Sequence, residues 1–405
     1  MTNIELLLVT SSDINTPNAP NSRYLLIAKG LATQGVKVKM ILLHGIKPCS
    51  SVLKGGEGLI TFHNCIVSER RSYRKKSFIR LLHQYVSILS LYKVIGSTSN
   101  NAIAKACYFD GRKLLLTFIS IMICKVRGTK AFYFRAEHPL LCDKKFYSTA
   151  LYEHLWNKIV ISQMDHIFVI STALKNYYVQ LTEKMNRSIP ISIVNMMIDP
   201  KEVESSSVNQ YNANGNMDIV YVGTMYGQKD GVYDLVSAYS LIMHNFPLSR
   251  LVLVGDNTRK SLMRKVIEAV EHAQDPSRVI MTGILPKEKV YEVINSAYCL
   301  VLARPDSLQG QYGFPNKLGE YLATGRPVVI TSVGDICLFL KNRVHAYISE
   351  PGNVNAFAQN LGDCLDDPVC ASKIGKKGKE LTYEIFYYKN AVKPILSALT
   401  SYKKL

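Results

Sequence analysis

The chain lacks any apolar run long enough to cross a bilayer as a helix. Its most hydrophobic stretch, Leu114 to Cys124, has eleven residues bracketed by Lys113 and Lys125, whereas a helical span takes about 20. No membrane-spanning segment is expected. The opening Met-Thr-Asn-Ile-Glu-Leu has no basic region before an apolar core, so no secretory signal is expected and the protein should stay in the cytoplasm. Cysteine pairing is also missing. The nine cysteines are odd in number, scattered and without a Cys-x-x-Cys pair, which argues against a zinc or dithiol redox site. They read as buried thiols in a reducing compartment. No cluster of Asp or His has the spacing of metal ligands, so no metal and no resident cofactor is expected.

What is present is the profile of a soluble globular protein: 405 residues, 47% apolar and 20% charged, with ordinary Gly and Pro content. At roughly 100 to 200 residues per domain, two to three domains are expected. The net charge of +18 is unevenly spread. Residues 1 to 150 carry 22 Lys+Arg against 7 Asp+Glu, a balance of +15, while residues 151 to 405 carry 27 against 24, a balance of +3. Such asymmetry points to an anionic partner for the first third, either nucleic acid or an acidic lipid surface.

Hydrophobic patterning predicts an α/β protein. Ile4 to Thr10 is an apolar strand, Tyr24 to Ala32 is helical, and Val36 to Leu43 follows a stop at Gly35, which makes a βαβ unit. Further strands are expected at Ala131 to Arg135, His166 to Ile170 and Ser192 to Asn195, with a long helix from about Tyr147 to Gln163. Residues 205 to 217, dense in Ser, Asn and Gly, read as a linker. Beyond it, strands are expected at Ile219 to Val222, Leu251 to Val254, Val279 to Thr282, Cys299 to Ala303, Val328 to Thr331 and Ala346 to Ser349, with helices between them. Apolar strands alternating with helices imply a parallel, doubly wound sheet. The expected division is a first domain over 1–204, with a C-terminal helix at 384–405 packing back on it, and a second over 218–383. Two such domains in tandem imply a ligand cleft at the carboxyl ends of their strands.

Two segments carry chemistry. In Tyr221-Val-Gly-Thr-Met-Tyr-Gly-Gln-Lys-Asp-Gly231 a strand ends at Gly223, and the loop holding Lys229 leads to a helix near Val232. A lysine there can meet a phosphate beside helix amides, or it can be an ordinary surface lysine of a βα turn. In Phe314-Pro-Asn-Lys-Leu-Gly-Glu-Tyr-Leu-Ala-Thr-Gly-Arg-Pro327, Pro315 opens a short helix and Gly325 caps it. Leu318, Tyr321 and Leu322 form its apolar stripe, while Asn316, Glu320 and Thr324 lie four apart on another face. Glu320 either accepts hydrogen bonds from a ribose or is a solvated surface acid.

These segments, with Leu251-Val-Leu-Val-Gly-Asp256 and Val279-Ile-Met-Thr-Gly283 between them, resemble the retaining glycosyltransferases of family 4 (glycosyltransferase group 1). Four motifs in order over about 110 residues are far more specific than any one alone. The resemblance implies the GT-B fold, two Rossmann-like domains with a donor/acceptor cleft between them, and a nucleotide-diphosphate sugar as co-substrate. It implies donor contacts from Gly223, Thr224, Lys229, Gly283, Ile284, Pro315, Asn316, Lys317, Leu318 and Glu320, with Lys229 on the diphosphate, where it also serves catalysis, and Glu320 on the ribose. The family usually carries a first Glu eight positions before the second, where Tyr312 stands here, and often an arginine where Thr224 stands. In the first domain Asn21, Ser22 and Arg23 occupy the place of a loop facing the donor phosphates. Glu137 and His138, after the strand ending at Arg135, are candidates to contact the acceptor or the reacting sugar, or else form a structural turn.

A third segment is cationic. Arg70, Arg71, Arg74, Lys75, Lys76 and Arg80 lead into a stretch bearing Phe78, Leu81, Leu82, Tyr85, Ile88 and Leu89. This suits the headgroup region of anionic lipid, or a core helix preceded by a basic loop. The expected protein is thus a cytoplasmic retaining glycosyltransferase, peripheral on the inner face of the cytoplasmic membrane. Its expected acceptor is a saccharide, lipid-linked, in surface polysaccharide biosynthesis. The alternatives are a GT-B nucleotide-sugar epimerase and a basic nucleic-acid binder. For the latter the sequence shows no recognition motif, so no nucleic-acid partner is expected.

Overall fold

The computed structural model describes residues 4–10, 19–42, 59–64, 88–96, 104–109, 114–142, 149–205, 216–226 and 229–402. The chain divides into two compact units, Met1–Met197 with Tyr388–Leu405, and Ile198–Tyr387. Among the described residues each unit is built on one parallel sheet covered by helices, as in Rossmann-like domains.

The first sheet has the order β3-β2-β1-β4-β5-β6-β7. Its strands are β1 (Ile4–Thr10), β2 (Lys37–Leu42), β3 (Ile60–Asn64), β4 (Ala104–Phe109), β5 (Lys130–Arg135), β6 (His166–Val169) and β7 (Ile191–Ile193). β1 is buried at every position, which is why its sequence is a continuous apolar run rather than an alternation. The strands β3 and β4 are absent from the sequence expectation. They carry Thr61, His63, Asn64 and Lys105 within short runs, so the apolar signal is interrupted. The expected helix over 147–163 is a helix at Thr149–Ile159 followed by a tighter turn at Ile161–Gln163. The Leu114–Val126 segment is a helix of 13 residues, and among the described residues no helix is long and apolar enough to cross a membrane.

The second sheet has the order β10-β9-β8-β11-β12-β13, with β8 (Met217–Val222), β9 (Ser249–Val254), β10 (Val279–Gly283), β11 (Cys299–Leu302), β12 (Val328–Thr331) and β13 (Tyr347–Ser349). The chain winds from β8 out to β10 and then returns to the other side of β8 with β11. The switch point therefore lies between β8 and β11, where open α/β sheets bind ligands at their carboxyl ends. The β8/β9 register is reinforced by a bidentate ion pair, Arg250 Nε to Asp218 Oδ1 at 2.7 Å and Nη2 to Oδ2 at 2.8 Å. Asp218 is buried, so both its oxygens need partners.

The unit boundaries have local causes. The helix Pro200–Glu204 belongs to the second unit rather than the first: Val203 is fully buried and its carbonyl accepts from Asn295 Nδ2 at 2.7 Å. The expected linker falls mostly on residues 206–215, outside the described residues. The chain leaves the second unit where Ile198 pairs with Tyr387 and Ile198 N–H donates to Phe386 O at 3.0 Å. The following segment belongs to the first unit, with Ile395, Ala398 and Leu399 buried and Tyr402 Oη donating to Asp165 O at 2.6 Å.

Candidate functional site

The second unit holds a cluster of buried polar side chains at the switch point, Tyr221, Asp230 and Arg304. Tyr221 lies on β8 and is fully buried, with its hydroxyl 3.0 Å from Asp230 Oδ2 and 2.9 Å from Thr224 O. Burial raises the Tyr221 hydroxyl well above its ordinary range, and the neighbouring carboxylate adds to the effect. Asp230, next to Lys229, turns inward. Burial works against its charge, but the Lys317 ammonium and then the Arg304 guanidinium overcome it, and its carboxyl is held below the usual value. Lys317 Nζ donates to Asp230 Oδ2 at 2.5 Å and to Tyr221 Oη at 3.3 Å. Arg304, just past β11, places Nε 3.8 Å from Asp230 Oδ1. Its Nε reaches Lys229 O at 3.5 Å and its Nη2 reaches Gln309 O at 3.3 Å.

Backbone geometry makes room for this cluster. At Gly223, with φ +154°, an added Cβ would lie 1.7 Å from Lys317 Nζ. At Gly231, with φ +65°, it would lie 1.7 Å from Ala303 O. Only glycine lets the ammonium and the β11 end approach so closely. Gly231 is also the N-cap of the helix Val232–Ile242.

The helix Asn316–Thr324 starts after Pro315 and ends at Gly325 in the left-handed conformation. Leu318, Tyr321 and Leu322 are fully buried as the stripe requires, and Tyr321 Oη accepts from Val222 N–H at 2.7 Å, fixing the helix to the end of β8. Glu320 is half-buried. Burial is the main cause that pushes its carboxyl up to about 7, opposed by Lys287 and Lys317 and assisted by Glu202. The start of this nine-residue helix, with the basic side chain of Lys317 in its first turn, makes a place for an anion.

The structure thus brings Gly223, Thr224, Lys229, Lys317 and the start of the Pro315–Glu320 segment around Asp230. Lys229 exposes its side chain while its carbonyl is held by Arg304. Gly283 ends β10, two strands away, where its carbonyl accepts from Gly255 N–H at 3.0 Å, and Ile284 is 74% exposed. Asp230 and Arg304 were not singled out in the sequence. Nothing local in the sequence marks either as buried.

The first-unit candidates lie around β5. Arg23 lies on the helix Ala19–Thr33 with its guanidinium 4.7 Å from the centroid of the Phe134 ring. Asn21 is buried and Ser22 exposed. Arg135 Nε donates to Glu137 O at 2.9 Å, shaping the turn after β5. Glu137 is exposed, whereas His138 is buried, meets the Tyr177 ring edge-on at 4.9 Å, and has its pKa lowered by burial. Arg70, Arg71, Arg74, Lys75 and Lys76 lie outside the described residues. Of the apolar stretch after them, residues 88–96 form a helix that buries Leu91, Val94 and Ile95 and exposes Leu89 and Tyr92. Among the described residues no group of three His, Cys, Asp or Glu side chains converges as metal ligands would.

Residues 216–367 match the family model of the Glycosyl transferases group 1, a stretch that contains the whole Asp230 cluster. Solved structures agree over almost the entire chain. Anabaena HepE in complex with UDP is 13% identical with a TM-score of 0.69, covering 98% of this chain and 100% of its own. A glycosyltransferase from Rickettsia africae is 16% identical with a TM-score of 0.68, covering 99% of each chain. Sucrose-phosphate synthase from Thermosynechococcus elongatus is 14% identical with a TM-score of 0.66, covering 98% of each. No curated protein sequence matches the chain. Over residues 216–367 the second unit thus resembles a group 1 glycosyl transferase domain, and the two units have the fold of the GT-B glycosyltransferases.

Proposed function

We propose that the protein is a retaining glycosyltransferase that takes a nucleotide-diphosphate sugar and transfers the sugar to a saccharide acceptor. The observation that carries this reading is the pair of cations, Lys229 in the loop after β8 and Lys317, whose Nζ reaches the end of β8 beside Gly223 from the first turn of the helix that bears Glu320. A leaving nucleoside diphosphate develops negative charge as the glycosidic carbon–oxygen bond breaks, and fixed cations and amide dipoles stabilise it without reorganising. Pro315, Asn316, Lys317 and Leu318, the opening turn of that helix, would lie against the phosphates, with Lys317 supplying the charge. Glu320 would accept hydrogen bonds from the ribose hydroxyls, and Gly283 with Ile284 would adjoin the base. HepE has been crystallised with UDP, with UDP-glucose, and with UDP and glucose, which supports a uridine nucleotide as the first donor to try.

Asn21, Ser22 and Arg23 are assigned to the donor phosphates, and Glu137 and His138 to the acceptor or the reacting sugar. No metal is needed in this scheme, since Lys229, Lys317 and the helix amides neutralise the leaving group. The basic first third favours a lipid-linked acceptor in surface polysaccharide biosynthesis, with the protein peripheral on the inner face of the cytoplasmic membrane. A panel of nucleoside diphosphates in thermal unfolding tests the reading first, because a ligand at 100 times its Kd stabilises by about 2.7 kcal/mol. Absence of any shift across UDP, GDP, ADP, CDP and dTDP would dismiss it. Incubating the bound nucleotide sugar without acceptor and finding an isomerised sugar would favour an epimerase instead.

A further inference from the structure

Arg135, the last residue of β5, is a buried cation without a carboxylate. It is 6% exposed. Its Nε donates to Glu137 O at 2.9 Å and its Nη1 to Tyr133 Oη at 3.1 Å, both neutral acceptors. Nη2 is buried and has no acceptor among the described residues. In the second unit the comparable charges are paired: Arg250 is held by Asp218, and Arg304 faces Asp230. Withdrawing a guanidinium from water is costly unless an opposite charge and hydrogen bonds replace the solvent. Arg135 has part of its hydrogen bonding, and no described residue supplies the opposite charge.

Its place in the sheet points to a ligand. The order β3-β2-β1-β4-β5-β6-β7 reverses between β1 and β4, so the carboxyl end of β5 lies one strand from that switch point. Ligands of open α/β sheets gather at this edge. Arg135 also shapes the turn that carries both acceptor-side candidates, since the carbonyl it holds is that of Glu137. His138 Nδ1 accepts from Leu140 N–H at 3.3 Å, which leaves the proton of the neutral ring on Nε2, and burial favours that neutral form. Arg135 is therefore the one cation of this turn. Arg23 brings a second guanidinium to the strand end by stacking on Phe134. A planar guanidinium with directed N–H groups matches the oxygens of a phosphate or a carboxylate.

We propose that Arg135 binds an oxyanion carried by the saccharide acceptor, a phosphate or a carboxylate group, so that the acceptor is an anionic sugar. The proposal rests on the glycosyltransferase reading above and concerns its acceptor, not its donor. The guanidinium is fixed at two points, by Tyr133 and by the Glu137 carbonyl, and Nη2 offers its remaining N–H groups in one direction. An anionic acceptor compensates the buried charge, whereas a neutral sugar of the same shape leaves it uncompensated. Discrimination then comes from the cost of that unpaired charge. No bond is made or broken in this step.

The test is calorimetry on the full chain with glucose 6-phosphate, glucuronate and glucose as probes. Each is titrated with and without a saturating nucleoside diphosphate, which occupies the cations of the second unit. At least one anionic sugar is expected to bind about tenfold or more tightly than glucose, and which one does so separates phosphate from carboxylate. Arg135→Gln removes the charge and keeps a donor for Glu137 O, and Arg135→Met removes both. Each, checked for folding by circular dichroism, is expected to bring the anionic sugar within about twofold of glucose, with glucose itself changed less than about twofold. Arg135→Lys keeps a charge and is expected to retain part of the preference. A merely structural arginine would weaken all three probes together, which overturns the proposal. So does an unsubstituted protein that prefers neither anion, or a folded charge-free variant that keeps the preference. An Arg135-dependent preference in a protein that binds no nucleoside diphosphate upholds the anion site and removes the donor reading. Nucleoside diphosphate binding without any anion preference does the opposite.

Discussion

Lys317 Nζ lies 2.5 Å from Asp230 Oδ2, and this contact joins residues 87 positions apart in the chain. Through it the loop after β8 and the first turn of the helix Asn316–Thr324 are held together by charge. Arg304 extends the tie to the β11 loop, bracing Lys229 O and Gln309 O from below. One buried carboxylate thereby sets the positions of three loop segments, which is how a site on loops acquires the stiffness that charge recognition needs.

Lys229→Ala is expected to weaken nucleoside diphosphate binding without lowering stability. The Lys229 side chain is exposed, and the support for the loop comes from its backbone carbonyl, which alanine keeps. Surface truncations of this kind change stability by less than about 0.5 kcal/mol. Urea denaturation alongside calorimetry separates the two effects, and an unchanged Kd for the diphosphate removes Lys229 from the site.

Glu320→Gln is expected to trade affinity for stability. A carboxyl raised to about 7 binds its proton more tightly in the folded state. Its contribution is therefore full below the ordinary carboxylate value and is lost as pH rises to about 7. At pH 8 the Gln protein should be more stable by roughly 1 to 3 kcal/mol, and at pH 4 about equal to the unsubstituted one. Ribose binding favours the ionised form, so donor binding near pH 6 should release protons, seen as heats that change with the buffer's ionisation enthalpy. Loss of the charged hydrogen bonds, about 1.5 to 3 kcal/mol each, should weaken a nucleoside diphosphate at least about tenfold. Pyrophosphate, which has no ribose, is expected to bind the Gln protein as before; an equal loss there would mean that Glu320 does not read the ribose.

The sequence made most of the sheet legible wherever strands are buried on both faces, as β1, β8, β9 and β12 are, because burial writes an unbroken apolar run. It concealed β3 and β4, whose interrupted runs leave too little contrast with loops. The helix Asn316–Thr324 was legible at both ends from Pro315 and Gly325. What lay hidden was the site's support. The pairing of Asp230 with Lys317 and Arg304 is set by tertiary approach at Gly223 and Gly231, and no local period or spacing encodes a contact between residues 87 apart.

Phe386→Ala is expected to cost about 3 to 5 kcal/mol of stability in urea denaturation. The ring is fully buried, with centroids of Phe314 at 5.7 Å and Phe339 at 5.5 Å, and Phe314 immediately precedes the helix that carries Lys317 and Glu320. Phe386→Leu, which refills most of the volume, should recover more than half of the loss. A loss below about 1 kcal/mol for the alanine variant would show that the three rings are not a single packed cluster.

The membrane assignment separates from donor binding by charge. Replacing Arg70, Arg71, Arg74, Lys75 and Lys76 by Ser or Gln removes five positive charges from the first third of the chain. At about 1 kcal/mol per basic residue near an anionic surface, several kcal/mol of vesicle affinity should vanish. Nucleotide binding should be untouched, because the cations proposed for the donor, Lys229 and Lys317, lie in the second unit. High salt should imitate the substitutions on the unsubstituted protein, since it screens exposed charges at the vesicle surface. Among the apolar residues that follow the basic run, Leu89 is 44% and Tyr92 41% exposed on a helix whose other side is buried, so Leu89→Ser is expected to reduce binding further at low salt. Co-sedimentation with anionic and neutral vesicles measures each arm. If the unsubstituted protein ignores anionic vesicles at low salt, or the five-fold variant still sediments with them equally, the basic segment is not the anchor and its charge serves an acidic acceptor instead.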